Sequence, residues 1–132
     1  MKIQISTDYA IRILHFLHTH NGMHTAMEIA NATEITYPFF IKIANLLKKQ
    51  GFLNSIQGRN GGYVLGKRAH EISFYDVYVC MEGEMQIGAC VRKNEQCLRG
   101  KMYDCKLCKK WSALQEKIIE EMSSQHIAGL AS

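Results

Sequence analysis

Four of the chain's five cysteines stand close together between Cys90 and Cys108. Thiolate sulfur binds zinc and iron–sulfur clusters, and it also reacts with oxidants. From Cys90 to Lys110 the chain carries seven lysines and arginines against two acidic residues. This positive surplus would stabilise thiolates and offset the negative charge of a cluster. The segment therefore allows three kinds of chemistry: an iron–sulfur cluster, a zinc site, or sensing by thiols alone.

The expected cellular compartment narrows the choice among these three kinds of chemistry. The opening sequence MKIQISTDYAIRIL lacks the pattern of a secretory leader, and no apolar run is long enough to span a membrane. We expect a cytoplasmic protein with no membrane partner. Disulfides rarely persist in that reducing compartment, which favours metal binding or redox sensing. Zinc sites usually pair two close cysteine doublets, and only Cys105 and Cys108 form one here.

Positive charge is concentrated in the middle of the chain. The formal net charge is +4, yet residues 36–70 carry +6 with no acidic residue, which leaves −2 for the remainder. A stretch of one sign suits a polyanion such as DNA, although a solvated basic face without a partner would have the same charge. The six cations are Lys42, Lys48, Lys49, Arg59, Lys67 and Arg68.

Three helices are predicted before and within this basic stretch. Apolar residues at helical spacing indicate a first helix from Thr7 to His20. A capping box of Thr25 and Glu28 begins a short second helix, and a third runs from Thr36 to Gln50. Helix, turn and helix in this order predict a helix-turn-helix whose third helix is the recognition element. The inward stripes are predicted to be Ala10, Ile13, Leu14 and Leu17, then Ile29 and Ala30, then Phe40, Ile43, Ala44 and Leu47.

The sequence FLNSIQGRNGGYVLG predicts a strand, a tight turn and a second strand. A hairpin directly after a basic helix indicates a wing whose tip enters the minor groove. Two aromatic residues, Tyr37 and Phe39, lie early in the recognition helix. One of them is as well suited to packing inside the helix-turn-helix as to touching a base. The predicted DNA contacts are Thr36, Tyr37, Phe39, Lys42, Lys48, Lys49, Arg59 and Asn60.

The last third of the chain predicts two more helices. One is capped by Ser73 and Asp76 and holds Cys80 as an ordinary buried residue. The other follows the cysteines, and its apolar spacing is close to that of a coiled-coil seam, which predicts dimerisation. The fold class is thus mainly α with a small β wing: a winged helix-turn-helix in residues 1–82, a cysteine-rich loop in 83–106, and a long C-terminal dimerisation helix and tail in 107–132. The seam residues are Leu107, Trp111, Leu114, Ile118 and Met122.

The sequence does not indicate an enzyme. It shows no paired carboxylates and no nucleophile–base motif, and GRNGGY lacks the strand-to-helix setting of a phosphate loop. CKLC lacks the βαβ context of a redox C-x-x-C. The histidines of HFLHTHNGMH are interpreted as surface or core residues.

The order of STDYAIRIL, IANATEIT, GFLNSIQGRNGGYVLGK and ISFYDVYVCMEG, followed by three spaced cysteines and a helix with tryptophan, resembles the IscR/NsrR-type (Rrf-two) family of winged-helix transcription regulators. The resemblance implies a homodimer that binds palindromic promoter DNA, with a 2Fe-2S or 4Fe-4S iron–sulfur cluster between the DNA-binding body and the dimerisation helix. It favours repression in response to redox state, nitric oxide or iron–sulfur supply. Some members lack a cluster, so thiol chemistry, zinc or a partner protein remains the alternative.

The resemblance also implies metal ligands. The family's cluster cysteines match Cys90, Cys97 and Cys105. The fourth ligand is either Cys108, at the place of a histidine in the IscR branch, or Asp8, at the place of an aspartate that the partner subunit supplies in the NsrR branch. The cysteine intervals here are six and seven residues, whereas the family more often has five and five. The wing arginine has also moved, from the position of Gln57 to Arg59, which predicts a different DNA sequence preference.

Overall fold

The computed structural model describes residues 2–88 and 106–130. Within them, three helices are followed by an antiparallel hairpin and then by two more helices, which confirms the predicted mainly α class with a small β wing. The elements are α1 Ile5–Thr19, α2 Ala26–Thr33, α3 Tyr37–Lys49, β1 Leu53–Ile56, β2 Gly62–Leu65, α4 Phe74–Glu82 and α5 Lys106–Ser124, with short 3-10 turns at Ala69–Glu71 and Ile127–Leu130.

The helix ends follow the predicted caps in part. Ser73 and Asp76 form the full capping box of α4, with both hydrogen bonds at 3.0 Å. Thr25 accepts from the Glu28 amide, but the Glu28 carboxylate bonds to the His24 ring, so the predicted box at α2 is only half formed. Thr36 is the N-cap of α3, yet its side chain makes no capping hydrogen bond.

The core forms where the predicted apolar stripes of the first three helices meet. Every residue of these stripes is buried, and α4 adds Val77. Phe40 is fully enclosed, with its ring edge-on to Tyr63 of β2 at 5.4 Å. Burial of this apolar surface is the main source of stability, and it fixes which side of α3 faces outward.

The wing is a short hairpin in regular register. Leu53 pairs with Leu65 at its base and Ile56 with Gly62 near its tip. Gly58 in the turn has φ +117°, a conformation that a residue with a side chain rarely adopts. A further bridge, which the sequence did not predict, joins His24 in the α1–α2 loop to Tyr63 of β2.

The chain returns to the body after α5. The Ile127 amide donates to the Ile72 carbonyl at 3.0 Å, and the Phe74 amide donates to the Gln125 carbonyl at 2.8 Å. Ile127 is fully buried. In the described ranges, no helix is long and apolar enough to cross a membrane.

Candidate DNA-binding surface and cysteine segment

The outer side of α3 is polar and basic. Tyr37 in its first turn is 47% exposed, and Lys42, Lys48 and Lys49 are exposed along it. Thr36 is exposed at the N-terminal end. Because the opposite side is buried in the core, these groups stand together where a groove of DNA could receive them.

Phe39 is placed differently from the other predicted contacts. It is half-buried, and its ring lies edge-on to Tyr9 of α1 with the centroids 5.6 Å apart. It lines a cleft of about 360 Å³ together with Ile5, Lys42 and Met81. Of the two aromatic residues, Phe39 is therefore the one that packs and Tyr37 the one that projects.

The wing presents its tip to solvent. Arg59 and Asn60 are exposed between the strands, as predicted. At the base of the hairpin the Lys67 ammonium lies 5.0 Å from the centre of the Phe52 ring, a cation–π contact that holds this charge beside the body. The wing tip and the outer side of α3 thus supply exposed cations from two neighbouring elements.

The candidate fourth ligands lie at the starts of two helices. Asp8 is exposed in the first turn of α1, where its carboxylate accepts from Arg12 Nε at 2.8 Å; this hydrogen bond raises the pKa of Arg12. Cys108 is half-buried in the first turn of α5. The predicted ligands Cys90, Cys97 and Cys105 lie outside the described residues. Within 2–88 and 106–130, no three histidine, cysteine, aspartate or glutamate side chains are grouped to hold a metal ion.

Contacts at the end of α4 and at α5 fix where the cysteine segment begins. Glu82, the last residue of α4, accepts from the Thr7 hydroxyl and from the Gln4 amide. Further on, the Ile87 amide donates to Gln115 Oε1 of α5 at 3.0 Å. Gly88 lies so close to the Trp111 ring that an added Cβ would be 3.4 Å from it. The chain up to Gly88 is therefore held first against α1, at the end of α4, and then against α5.

Cys80 lies in α4, ten residues before Cys90 in the sequence. Its thiol donates to the Leu46 carbonyl at 3.4 Å, and burial raises its pKa. Since the thiolate is the reactive form, this environment makes Cys80 less reactive. The residue packs against the core as expected, but it is half-buried and not fully buried as the sequence analysis predicts.

Sequence reasoning missed several residues that hold the site. Gln115 and Glu82 act through contacts between distant parts of the chain, and no local pattern indicates them. His24 was interpreted as an ordinary surface or core residue, yet it joins α1, α2 and the wing. The one available signal was Glu28 in the first turn of α2, an acidic residue within reach of His24 just before the N-cap.

Comparison with known proteins decides the class. The model of the Rrf2 family, described as "Iron-dependent Transcriptional regulator", matches residues 3–132. The chain belongs to the Rrf2 family. It is similar to the helix-turn-helix transcriptional regulator NsrR of Bacillus licheniformis, with 34% identity over 92 residues that cover 68% of this chain and 64% of the relative.

Solved structures share the fold of this Rrf2-family chain. CymR (YrzC), described as the global cysteine regulator of B. subtilis, superposes with a TM-score of 0.78 at 23% identity, over 99% of this chain and 96% of the other. IscR of T. potens gives a TM-score of 0.76 at 21% identity, over 98% and 85%. The Rrf2-family chain is thus a winged-helix transcriptional regulator, and the prediction that it is not an enzyme is confirmed by its family.

Proposed function

We propose that this chain is a homodimeric repressor that binds palindromic promoter DNA and senses redox state, nitric oxide or iron–sulfur status through a cluster held by the Cys90–Cys108 segment. The observation that carries the DNA-binding part is the acid-free stretch 36–70, which contains both the outer side of α3 and the exposed wing tip. A surface of one sign from two adjacent elements is the electrostatic footprint of a DNA-binding protein.

The α3 helix of each protomer enters one of two successive major grooves. Tyr37 and Lys42 approach base edges, while Thr36 lies at the helix N-terminus beside them. Arg59 and Asn60 of the wing reach the minor groove. Lys48 and Lys49 bind phosphates, which fixes position without specifying sequence. Phe39, also predicted to touch DNA, contributes by holding α3 against Tyr9.

Two protomers associate through α5. Along its predicted seam, Leu107 is 56%, Trp111 37% and Leu114 49% exposed, and no residue of the helix is buried. Large apolar side chains at coiled-coil spacing favour a second copy as their partner, because pairing removes them from water. A palindromic site needs two recognition helices, which a two-fold dimer supplies.

The donor chemistry fits an iron–sulfur cluster, of either the 2Fe-2S or the 4Fe-4S type. Cys90, Cys97 and Cys105 would supply three thiolates, with Cys108 or Asp8 as the fourth ligand. When bound, the cluster would supply one-electron redox chemistry and reactivity toward nitric oxide and oxygen. If Asp8 is the ligand, its carboxylate would either release Arg12 or use the oxygen that Arg12 does not contact.

The division proposed from the sequence assigns one task to each part. Residues 1–82 read DNA, 83–106 sense, and 107–132 dimerise. The contact of Ile87 with Gln115 gives the middle part a physical link to α5, and Glu82, the residue just before this part, is held to α1. A change of state in the cysteine segment can therefore alter the spacing of the two recognition helices, provided that the two states prefer different dimer geometries.

The alternative is a regulator of the same fold that acts without a cluster, by cysteine thiol chemistry, zinc or a partner protein. The pairing of Asp8 with Arg12 favours it, because that pair occupies one of the two candidate fourth ligands.

The DNA assignment is tested by measuring affinity for promoter DNA against salt concentration. The test variants Arg59→Ala and Lys42→Ala are each expected to weaken binding. Lys48→Ala, which removes a proposed phosphate contact, is expected to reduce the salt slope by about one. Lys117→Ala, an exposed lysine of α5, is the matched control and should leave the slope unchanged. Unchanged binding in both test variants would refute the assignment.

The cofactor is tested by anaerobic purification with an absorption spectrum and with iron, sulfide and zinc analysis on one sample. Near-equal iron and sulfide with visible charge-transfer bands would establish a cluster. Cys108→Ser and Asp8→Ala then identify the fourth ligand by which of them loses or alters the bands. A protein that stays colourless after cluster reconstitution and still binds DNA would instead establish the cluster-free alternative.

A further inference from the structure

The wing is fastened to the body through the loop between α1 and α2. The Tyr63 amide donates to the His24 carbonyl at 2.8 Å, and the His24 amide donates to the Tyr63 carbonyl at 3.2 Å. His24 thereby pairs with Tyr63 as an isolated antiparallel bridge beside β2. Gly62 permits this approach, because a Cβ there would collide with the His24 carbonyl. The position of the wing therefore depends on where His24 is held.

The ring of His24 is held at both nitrogens. Nδ1 lies 2.9 Å from Glu28 Oε2, and Nε2 lies 2.9 Å from the His20 carbonyl oxygen. An ionised carboxylate and a backbone carbonyl can only accept hydrogen bonds, whereas a neutral imidazole has a single N–H. Only the doubly protonated imidazolium can make both bonds, so the geometry selects the charged ring.

The surroundings of the ring restrict it further. Phe16 of α1 lies edge-on to His24 at 5.1 Å and stacks on His20 at 4.3 Å. Of the described residues, the titratable groups in contact with His24 are His20, the C-cap of α1, together with Glu28 of α2 and Tyr63 of β2. Burial raises the pKa of the Tyr63 phenol, which stays neutral near physiological pH. Glu28 is the one negative charge in this set.

We propose that His24 is a positioning residue that, as an imidazolium, fastens the wing to the α1–α2 loop, so that wing docking and DNA affinity weaken when the ring loses its second proton. The effect on DNA rests on the proposed role of the wing. The docking itself does not depend on it, since the contacts of His24 lie within one chain.

The direction of the pH dependence follows from the pKa shifts of His24 and Glu28. The hydrogen bond to Glu28 raises the pKa of His24, and the same bond lowers the pKa of Glu28. The contribution of His24 to wing docking is fully present below the ordinary imidazole pKa, about 6.5, and it is lost as pH rises through the raised pKa of His24. That of Glu28 is present above the ordinary carboxylate value, about 4.3, and is lost in acid. Wing docking is therefore strongest in mildly acidic solution.

NMR titration of the full chain without DNA tests the docking. The His24 ring nitrogens and the amides of Gly62 and Tyr63 are followed from about pH 5 to about pH 9, the range in which histidines titrate. The wing amides are expected to shift with the same midpoint as His24, above the ordinary imidazole value. Glu28→Gln should lower both midpoints together, because the neutral amide can donate to a neutral ring. His15→Gln, on α1 outside the network, should move neither.

A wing that does not respond while His24 titrates, or a His24 midpoint at or below the ordinary value, would overturn the inference. DNA affinity is then measured over the same pH range. It should fall through the His24 midpoint by at most about a hundredfold per pH unit, the limit for two linked protons, one at each His24 of the proposed dimer, and the midpoint should move down in Glu28→Gln. Coupled NMR shifts without any DNA binding would refute the proposed function and leave the docking intact.

Discussion

Two residues with hydroxyl side chains are helix N-caps but have different roles. Ser73 and Thr36 are both N-caps, but only Ser73 accepts the capping hydrogen bond from the backbone. The third residue after Ser73 is Asp76, which completes a reciprocal box, whereas the third residue after Thr36 is Phe39. The hydroxyl of Thr36 is thus not needed by the backbone of α3 and remains available to DNA.

Replacing each cap by alanine separates these roles. Ser73→Ala should lower the free energy of unfolding by about 1 kcal/mol, because the amide of Asp76 loses its partner. Thr36→Ala should change stability much less and should weaken DNA binding. Thermal unfolding and a DNA-binding titration of both variants check this. Equal losses of stability would contradict the cap assignment.

At the scale of elements, local patterns predicted most of the fold. The stripe of Phe40, Ile43 and Leu47 specified α3 and its buried side, and the glycine-rich turn specified the wing. Patterns of this kind are local, because helix and strand periods are read over a few residues. Contacts between distant segments leave no such pattern, which is why the His24–Tyr63 bridge and the return of Ile127 were missed.

The candidate site shows the same limit. The residue types and charges around α3 and the wing tip could be predicted, because they depend on which side of each element is polar. The packing of Phe39 on Tyr9 depends on how α1 crosses α3, which the sequence left open between two aromatic residues. The Asp8–Arg12 pair follows a helical spacing of four and could have been predicted.

The return of the chain after α5 makes a prediction about stability. Ile127→Ala should lower the free energy of unfolding by roughly 2–5 kcal/mol, because it leaves a cavity at a fully buried position. Leu130→Ala, three residues on and 40% exposed, should change it by less than about 1 kcal/mol. Chemical denaturation measures both. Similar small losses would mean that the turn Ile127–Leu130 does not stabilise the body.

The whole molecule is expected to be a dimer, since α5 offers an apolar side that the described chain does not cover. Leu107, Trp111 and Leu114 are all more than one-third exposed. Exposed patches of large apolar side chains are typical of protein–protein interaction surfaces.

A charge in the seam should therefore separate the protomers. Leu114→Asp is expected to shift sedimentation equilibrium from dimer to monomer with unchanged helix content, because a buried unpaired carboxylate costs more than the contact gains. Ala113→Asp introduces the same charge beside the seam and should leave the dimer intact. Dimers that persist in Leu114→Asp would place the interface elsewhere.

The anchoring of the cysteine segment bears on how freely its length can vary. Gly88 lies against Trp111, which is less than two helical turns from Lys106, so the chain before the clustered cysteines is held close to the start of α5. The entropy of closing a loop grows only with the logarithm of its length, so one or two extra residues cost a few tenths of a kcal/mol. Intervals of six and seven residues between cysteines are therefore nearly as easy to accommodate as five and five. Extra spacer residues are therefore tolerated as long as Gln115 and Trp111 keep the two ends in place.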